Sequence, residues 1–533
     1  MLPIVGTVGF AVDYSHANSV KAAMQAALDS TALMVAKDAA TVSSDTLQTN
    51  ALNYFNALFT RPEAQNIVIA ASYSATGGSK VVVTGSATVP TAFLGIIGYN
   101  NITVNGSSTS AWGSTRLRVA LVLDTTGSMN DDGKIAALKT ATKNLLTQLK
   151  SAASNDGDVY VSIIPFSRGV NVGPSNYTAS WIDWSEWAAE PASMVAWLAN
   201  TSNKSTWVQT GPGDDCPLSS SKTGFGCVKT PVDGAATTTT IPSSGSYSGY
   251  ICPGVDTGGT DGTKIGFDYP GCYNSTTYSS SGSSAVCTGH SNCTCSGSGS
   301  GKTCKTNNGY YEHTWVANAH STWTGCVADR GSIAAPGTTA GNDQTATAPV
   351  TGTATTLYPA REDTQCPSAS VGLSYNWTAM SSLVDGLDPL GGTNQPVGLL
   401  MGWHSLVGIG PFTAPAKDPN YTYTDVIILM SDGLNTADRW YGNGSATNTS
   451  VDYRMYDTTG KGSCANIKTA GVTLYTIQVN TAGDPTSTLL TNCAGGPDKF
   501  SDPSKFYLVT SASGLGAVFT AIGTNLTQLR VAK

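Results

Sequence analysis

Three short stretches carry oxygen-bearing side chains in a pattern that suits a hard divalent cation. "LRVALVLDTTGSM" (117–129) ends an apolar run at Asp124, with hydroxyls two and four residues on, at Thr126 and Ser128. "LGGTNQPVGL" places Thr393 just ahead of an apolar segment, and "ILMSDGLNT" places Asp432 at the end of a second apolar run. Together they offer two carboxylates and three hydroxyls. Such a set suits an ion that keeps some water and one open coordination position. Cysteine thiol and imidazole are absent from these stretches, which argues against zinc or copper there.

The elements that must position these residues follow from hydrophobic period. "LRVALVLD", "DVYVSIIPFS", "TDVIILMSD", "VTLYTIQV" and "KFYLVT" read as strands, most of them almost continuously apolar. "GKIAALKTATKNLLTQLKSAA" is an amphipathic helix, with Ile135, Leu138, Leu145 and Leu149 on its apolar side. "SSLVDGL", "PVGLLMGWHSLVG", "CANIKTAG" and "GLGAVFTAIGTNLTQLR" are helical as well. Alternation of this kind predicts a doubly wound α/β domain, a parallel sheet covered on both faces. Ligands of such sheets bind outside the carboxyl ends of the strands, where all three stretches are expected.

The D-x-T-x-S after a buried strand, the Gly-Thr ahead of a helix and the S-D-G after a second strand together resemble the metal-ion-dependent adhesion site of a von Willebrand factor A domain. The resemblance implies that Asp124, Thr126, Ser128, Thr393 and Asp432 surround a divalent cation, Mg2+ in the first place and Ca2+ or Mn2+ otherwise. It also implies a protein ligand whose carboxylate completes the shell. Thr126 stands where the family usually has Ser, and the oxygen is kept.

The amino end is different in kind. "MLPIVGTVGFAVDYSHANSVKAAMQAALDSTAL" has no charge before Asp13, and Ala17, Val20, Met24, Ala27, Thr31 and Met34 recur at three- and four-residue steps. This predicts a long helix with one face of small and apolar residues. An apolar head of 12 residues would span ~18 Å as a helix, short of the ~30 Å hydrocarbon core. With no basic segment ahead of it, the head is expected to be trimmed from a longer form or buried by other subunits. "NIVIAASYS", "KVVVTGSATVP" and "NITVNGSSTSAW" then read as a β-meander. This helix and sheet, with the close at "FYLVTSASGLGAVFTAIGTNLTQLRVAK", are similar to TadG-like proteins of the tight-adherence pilus machinery. Cys464 and Cys493 fit that resemblance too. Cys464 opens the helix before one strand and Cys493 precedes the next, so the two are expected to pair.

Composition fits an exported protein. Charged residues are 12% of 533, about half the usual roughly 25%, with 28 Lys plus Arg against 35 Asp plus Glu and a net charge of −7. There is no basic run, so nucleic-acid binding is not expected. Ten of the 12 cysteines lie between 216 and 366, in a Gly/Ser/Thr-rich stretch that has little core of its own. Disulfides are the usual substitute. Zinc at Cys287, His290, Cys293 and Cys295 is the alternative, although that spacing lacks paired C-x2-C halves. N-x-S/T triplets at Asn101, Asn274 and Asn376 permit glycosylation.

The expected organisation is a pilin-like helix and sheet over 1–115 and an adhesion-type domain in two parts, 116–175 and 377–533. The cysteine-rich insertion, 176–376, is expected to be a module of its own, since it far exceeds ordinary loop length. No catalysis is expected. The histidines are His16, His290, His313, His320 and His404. His313 and His320 are too far apart for an H-E-x-x-H site, and no G-x-S-x-G or phosphate loop occurs. The sequence thus predicts a non-enzymatic, metal-dependent adhesion or assembly protein of a bacterial pilus or envelope. The alternative is a self-associating subunit of an extracellular filament or surface layer. Its partners would be copies of itself through the amino-terminal helix, other pilus components, or a membrane met by that helix. Its location would be the periplasmic face of the inner membrane, the cell surface or a filament.

Overall fold

The computed structural model describes residues 2–531 apart from 76–77, 113–114, 191, 212–225, 231–233, 238–248, 252–269, 332–340, 364, 441, 443, 446–448 and 457–461. The chain opens with α1 (Leu2–Ala36) and α2 (Ser44–Leu58) on one face of an antiparallel meander of β1 (Gln65–Ser74), β2 (Ser79–Pro90) and β3 (Asn101–Trp112). Val20, Met24 and Leu28 of α1 are wholly buried in a cluster with Val81, Val83 and Val104. A glycine pair admits the helix this closely. Gly85 and Gly106 face each other in register, and a Cβ on Gly106 would come within 2.8 Å of Leu28 Cδ1. Helix α2 adds to the single long helix expected ahead of the meander. Ser43 caps it by accepting the Thr46 N–H, and Leu47, Ala51 and Phe55 form its buried stripe at four-residue steps.

Near the start of α1, Asp13 is buried and accepts the backbone N–H groups of Ala92, Phe93 and Leu94. The Leu94 amide above all holds its carboxyl below the usual carboxylate range. This fastens the β2–β3 connection onto the helix. On the same helix Phe10 and Val12 are each 52% exposed and Tyr14 is 59% exposed. The side chains of residues 1–8 lie outside the described residues. No helix among the described residues is long and apolar enough to cross a membrane.

The second part is built on β4 (Thr115–Asp124), followed by α3 (Lys134–Ala152), β5 (Val159–Phe166) and β6 (Val170–Asn171). Later come β7 (Cys326–Val327), β8 (Val371–Ser374), α4 (Trp377–Asp385), α5 (Gln395–Val407) and β9 (Thr422–Ser431). The chain closes with α6 (Ser463–Thr469), β10 (Thr473–Val479), α7 (Thr488–Cys493), β11 (Phe506–Val509) and α8 (Leu515–Val531). The strand order is β7-β6-β5-β4-β9-β10-β11, with β8 also on β5. From β5 to β11 neighbours on this path run parallel, while β6, β7 and β8 pair antiparallel. Helices α3, α4 and α8 cover one face through Leu138, Leu145, Val384 and Phe519. Helices α5, α6 and α7 cover the other through Leu399, Leu400, Ile467 and Leu490. The central strands are apolar on both sides because both faces are covered.

The described part of the cysteine-rich stretch is joined to the main sheet and its core. Its strand β7 extends the main sheet, and Trp187, Trp323, Val327, Tyr358 and Ala360 belong to the same buried cluster as α5. Buried ion pairs tie it down as well. Arg454 meets Asp329 and Asp343 at 2.9 and 2.8 Å, and Arg168 meets Asp363 at 2.9 Å. The stretch holds a small core of its own, with Met194, Trp207 and Tyr273 packed together, and also contributes to the core of its host.

Candidate metal centre

The winding direction reverses at β4. The chain leaves β4 for β5 on one side and returns by β9 on the other, so the crevice for a ligand opens where β4 and β9 end. Asp124 is the last residue of β4, and Ser431 and Asp432 are the last of β9 and the first beyond it.

Three loops meet there, each held by backbone as well as side chain. The first is fixed by Thr125, whose N–H and hydroxyl both donate to Phe166 O. Gly127 N–H donates to Gly391 O and Leu390 N–H to Thr125 O, which joins the first loop to the second. The third loop is sewn to the second through Thr436. Its hydroxyl accepts the Thr393 N–H, and its own N–H and that of Ala437 donate to Thr393 O. Gln395 completes the seam by donating to Ser431 Oγ and Gly433 O.

Within this frame a chain of hydrogen bonds links four of the five residues singled out by sequence. Asp124 Oδ1 accepts the Thr126 N–H at 2.8 Å, and Thr126 Oγ1 lies 3.1 Å from Ser128 Oγ. Ser128 Oγ donates to Asp432 Oδ1 at 2.8 Å. Thr393, the fifth, stands beside them. Its Oγ1 and Ser128 Oγ each lie 4.0 Å from the point where a side chain on Gly433 would begin. Among the described residues the Thr393 hydroxyl makes no hydrogen bond.

Two further residues belong to the centre and were not singled out by sequence. Ser431 Oγ donates to Asp124 Oδ2 at 2.6 Å. Lys134, at the start of α3, donates to Asp432 Oδ2 at 2.6 Å and is buried. A signal for Lys134 did exist, because a cation on the first residue of a helix opposes the helix dipole and needs a nearby anion. The electrostatics are unbalanced even so. Asp124 is buried, and its carboxyl is pushed up to about 7, by burial first and then by the charge of Asp432.

The other candidates are engaged elsewhere. Cys464 and Cys493 are bridged, both within the buried cluster against α5. Cys287 pairs with Cys293, Cys295 with Cys304 and Cys326 with Cys366. Cys272 is also disulfide-bonded, and the side chains of Cys216, Cys227 and Cys252 lie outside the described residues. Although the sulfurs of Cys287, Cys295 and Cys304 lie within 4.8 Å of one another, bridged sulfur does not supply the thiolates a zinc site requires. His290 Nδ1 faces Glu312 at 3.1 Å, and its ring stacks on Tyr278. His404 is fully buried between Tyr358 Oη, 2.7 Å from Nδ1, and Thr345 O, 3.0 Å from Nε2. His313 lies between the Ser275 hydroxyl and Trp207 O, His320 stacks on Trp184, and His16 meets Glu63.

Residues 1–38 match a family model described as putative Flp pilus-assembly TadE/G-like. A sequence comparison with curated proteins returns no match. Among solved structures, the pilus adhesin SpaC from Lactobacillus rhamnosus GG aligns at 11% identity and TM-score 0.30, over 89% of this chain and 36% of that one. The chain thus spans about a third of that adhesin's length. A von Willebrand factor type A protein from Catenulispora acidiphila aligns at 10% identity and TM-score 0.27, over 87% of this chain and 51% of the other. The corresponding domain of the type V pilus tip protein Mfa5 from Porphyromonas gingivalis aligns at 9% identity and TM-score 0.29, over 78% and 96%. Residues 1–38 are thus similar to the TadE/G-like pilus-assembly family, and the domain behind them is a doubly wound α/β domain.

Proposed function

We propose that this chain is a non-enzymatic, metal-dependent adhesion or assembly protein of a bacterial pilus or envelope system, acting outside the cytoplasm. Asp124, Thr126, Ser128, Thr393 and Asp432 would hold one divalent cation, Mg2+ in the first place and Ca2+ or Mn2+ otherwise. The observation that carries the reading is the charge imbalance at the crevice. Asp124 and Asp432 are both buried, the one ammonium at the centre, Lys134, is paired to Asp432, and burial first and then the charge of Asp432 push the Asp124 carboxyl up. All five donors are oxygens, the chemistry a hard cation prefers. When bound, the ion would offer positive charge to a carboxylate of a protein partner. The chain's own residues do the rest. Ser431 and the Thr126 N–H orient Asp124, Ser128 orients Asp432, and the seam between Thr436 and Thr393 keeps the second hydroxyl loop against the third.

A cation that binds only the folded state raises its melting temperature. Differential scanning calorimetry in EDTA and in Mg2+ tests this. The wild type should melt higher in Mg2+, and Asp124→Ala should melt alike in both. An equal Mg2+ shift in the two proteins would remove the site from these residues.

A second reading rests on a separate observation. Phe10, Val12 and Tyr14 stand exposed on α1, and the connection fastened by Asp13 adds the exposed Ile96 and Ile97. Burying a Val or Ile side chain contributes about 1.5–3 kcal/mol, so this surface favours self-association through α1, with the adhesion-type domain displayed outward. Electron microscopy of the purified chain separates an ordered polymer from a monomer.

A further inference from the structure

Lys134 is a poorly placed residue by local rules. It opens α3, where the dipole repels a cation. The helix offers it no side-chain cap and no acidic residue in the first turn. The chain reaches it through two consecutive left-handed residues, Asp132 at φ 53° and Gly133 at φ 72°. Its side chain is 7% exposed and that of Asp432 is wholly buried. Among the described residues Asp432 is its only ion-pair partner. A buried ammonium of this kind persists only because one carboxylate holds it.

Resting on the metal reading above, we infer that Lys134 is a tethered cation that competes with the divalent ion for Asp432. With both carboxylates ionised, as a bound cation requires, the Asp124 and Asp432 pair carries one uncompensated charge with the ammonium in place and two without it. Lys134 therefore lets the centre fold before an ion arrives and lowers the affinity for that ion when it comes. Ion binding at this centre includes the release of Asp432 Oδ2 from Lys134.

Lys134→Met keeps the apolar stem and removes the charge. Calorimetric Mg2+ titration of wild type, Lys134→Met and Asp124→Ala should show Lys134→Met binding about tenfold more tightly or better. In EDTA the same variant should melt several degrees below wild type and recover in Mg2+. Equal or weaker Mg2+ binding by Lys134→Met overturns the inference, as does a lack of binding by both it and the wild type. Binding by Lys134→Met alone sustains the inference while removing the resident ion from the native chain. Unimpaired binding by Asp124→Ala sinks the metal reading by itself. Because Lys134→Met can fold poorly without an ion, a cycle with Asp432→Asn gives an independent check. In the Asp432→Asn background Lys134→Met should no longer lower the melting temperature in EDTA, and an undiminished effect contradicts the competition.

Discussion

Ser431 Oγ donates to Asp124 Oδ2 at 2.6 Å, a bond that joins the carboxyl ends of two neighbouring parallel strands across 307 positions of sequence. The hydroxyl serves one half of the carboxylate while the Thr126 amide serves the other. Both donors favour the ionised form and oppose the burial that raises it.

Ser431→Ala should therefore do more than remove a methyl-sized polar group. Leaving a buried carboxylate oxygen without a donor costs about 1–3 kcal/mol. Urea denaturation should record a loss in that range, and Mg2+ affinity should fall because Asp124 ionises less readily. An unchanged midpoint would mean that another donor takes over Oδ2.

The Cys464–Cys493 bridge closes a separation of 29 residues between α6 and α7. For a loop of that size the chain-entropy estimate is about 3–4 kcal/mol. Cys464→Ala with Cys493→Ala should lose stability of this order in denaturant titration. Peptide mapping of the wild type should recover the two cysteines on one disulfide-linked fragment.

His404 supplies a pH dependence whose sign is fixed by its burial. Desolvation first, and then the neighbouring Arg330, hold its imidazole well below the usual value. The unfolded chain thus takes up a proton near pH 6.5 that the folded chain refuses. Stability from this group is complete above about pH 6.5 and declines as the pH falls below it, at most about 1.4 kcal/mol per pH unit. His313, pushed down to about 4 mainly by burial, acts in the same direction. His404→Gln should show a shallower loss of stability between pH 6.5 and pH 4.5 than the wild type. Parallel curves would show that His404 is not neutral in the folded chain.

Removing residues 1–12 should abolish self-association and leave the remaining fold intact, since the helix is already anchored to its sheet by Val20, Met24 and Leu28. Size-exclusion chromatography with light scattering should report a monomer. Persistence of the same oligomer would move the contact away from the head of α1.

How much of this was legible in the sequence depends on the range of the interaction. The strands were legible because both faces of the sheet are covered and the runs around Val119–Leu123 and Val426–Met430 are almost unbroken. Asp124 and Asp432 were legible as the places where those runs stop. Ser431 was not, since nothing local distinguishes a hydroxyl aimed at a carboxylate in the next strand from one that closes a turn. The pairing of Lys134 was not legible either, because its partner lies 298 positions away. The 176–376 stretch reads as independent because it far exceeds ordinary loop length. Trp323, Val327 and Tyr358 show the opposite arrangement, in which a few apolar residues reach a core already built by other elements.

The crevice at the end of β4 is proposed to bind a divalent cation through Asp124. Isothermal titration of the full chain, stripped of metal with EDTA, tests it most directly. Saturable Mg2+ binding at one ion per chain is expected in the wild type and none in Asp124→Ala. Heats that are absent from the wild type, or unchanged in Asp124→Ala, would contradict it.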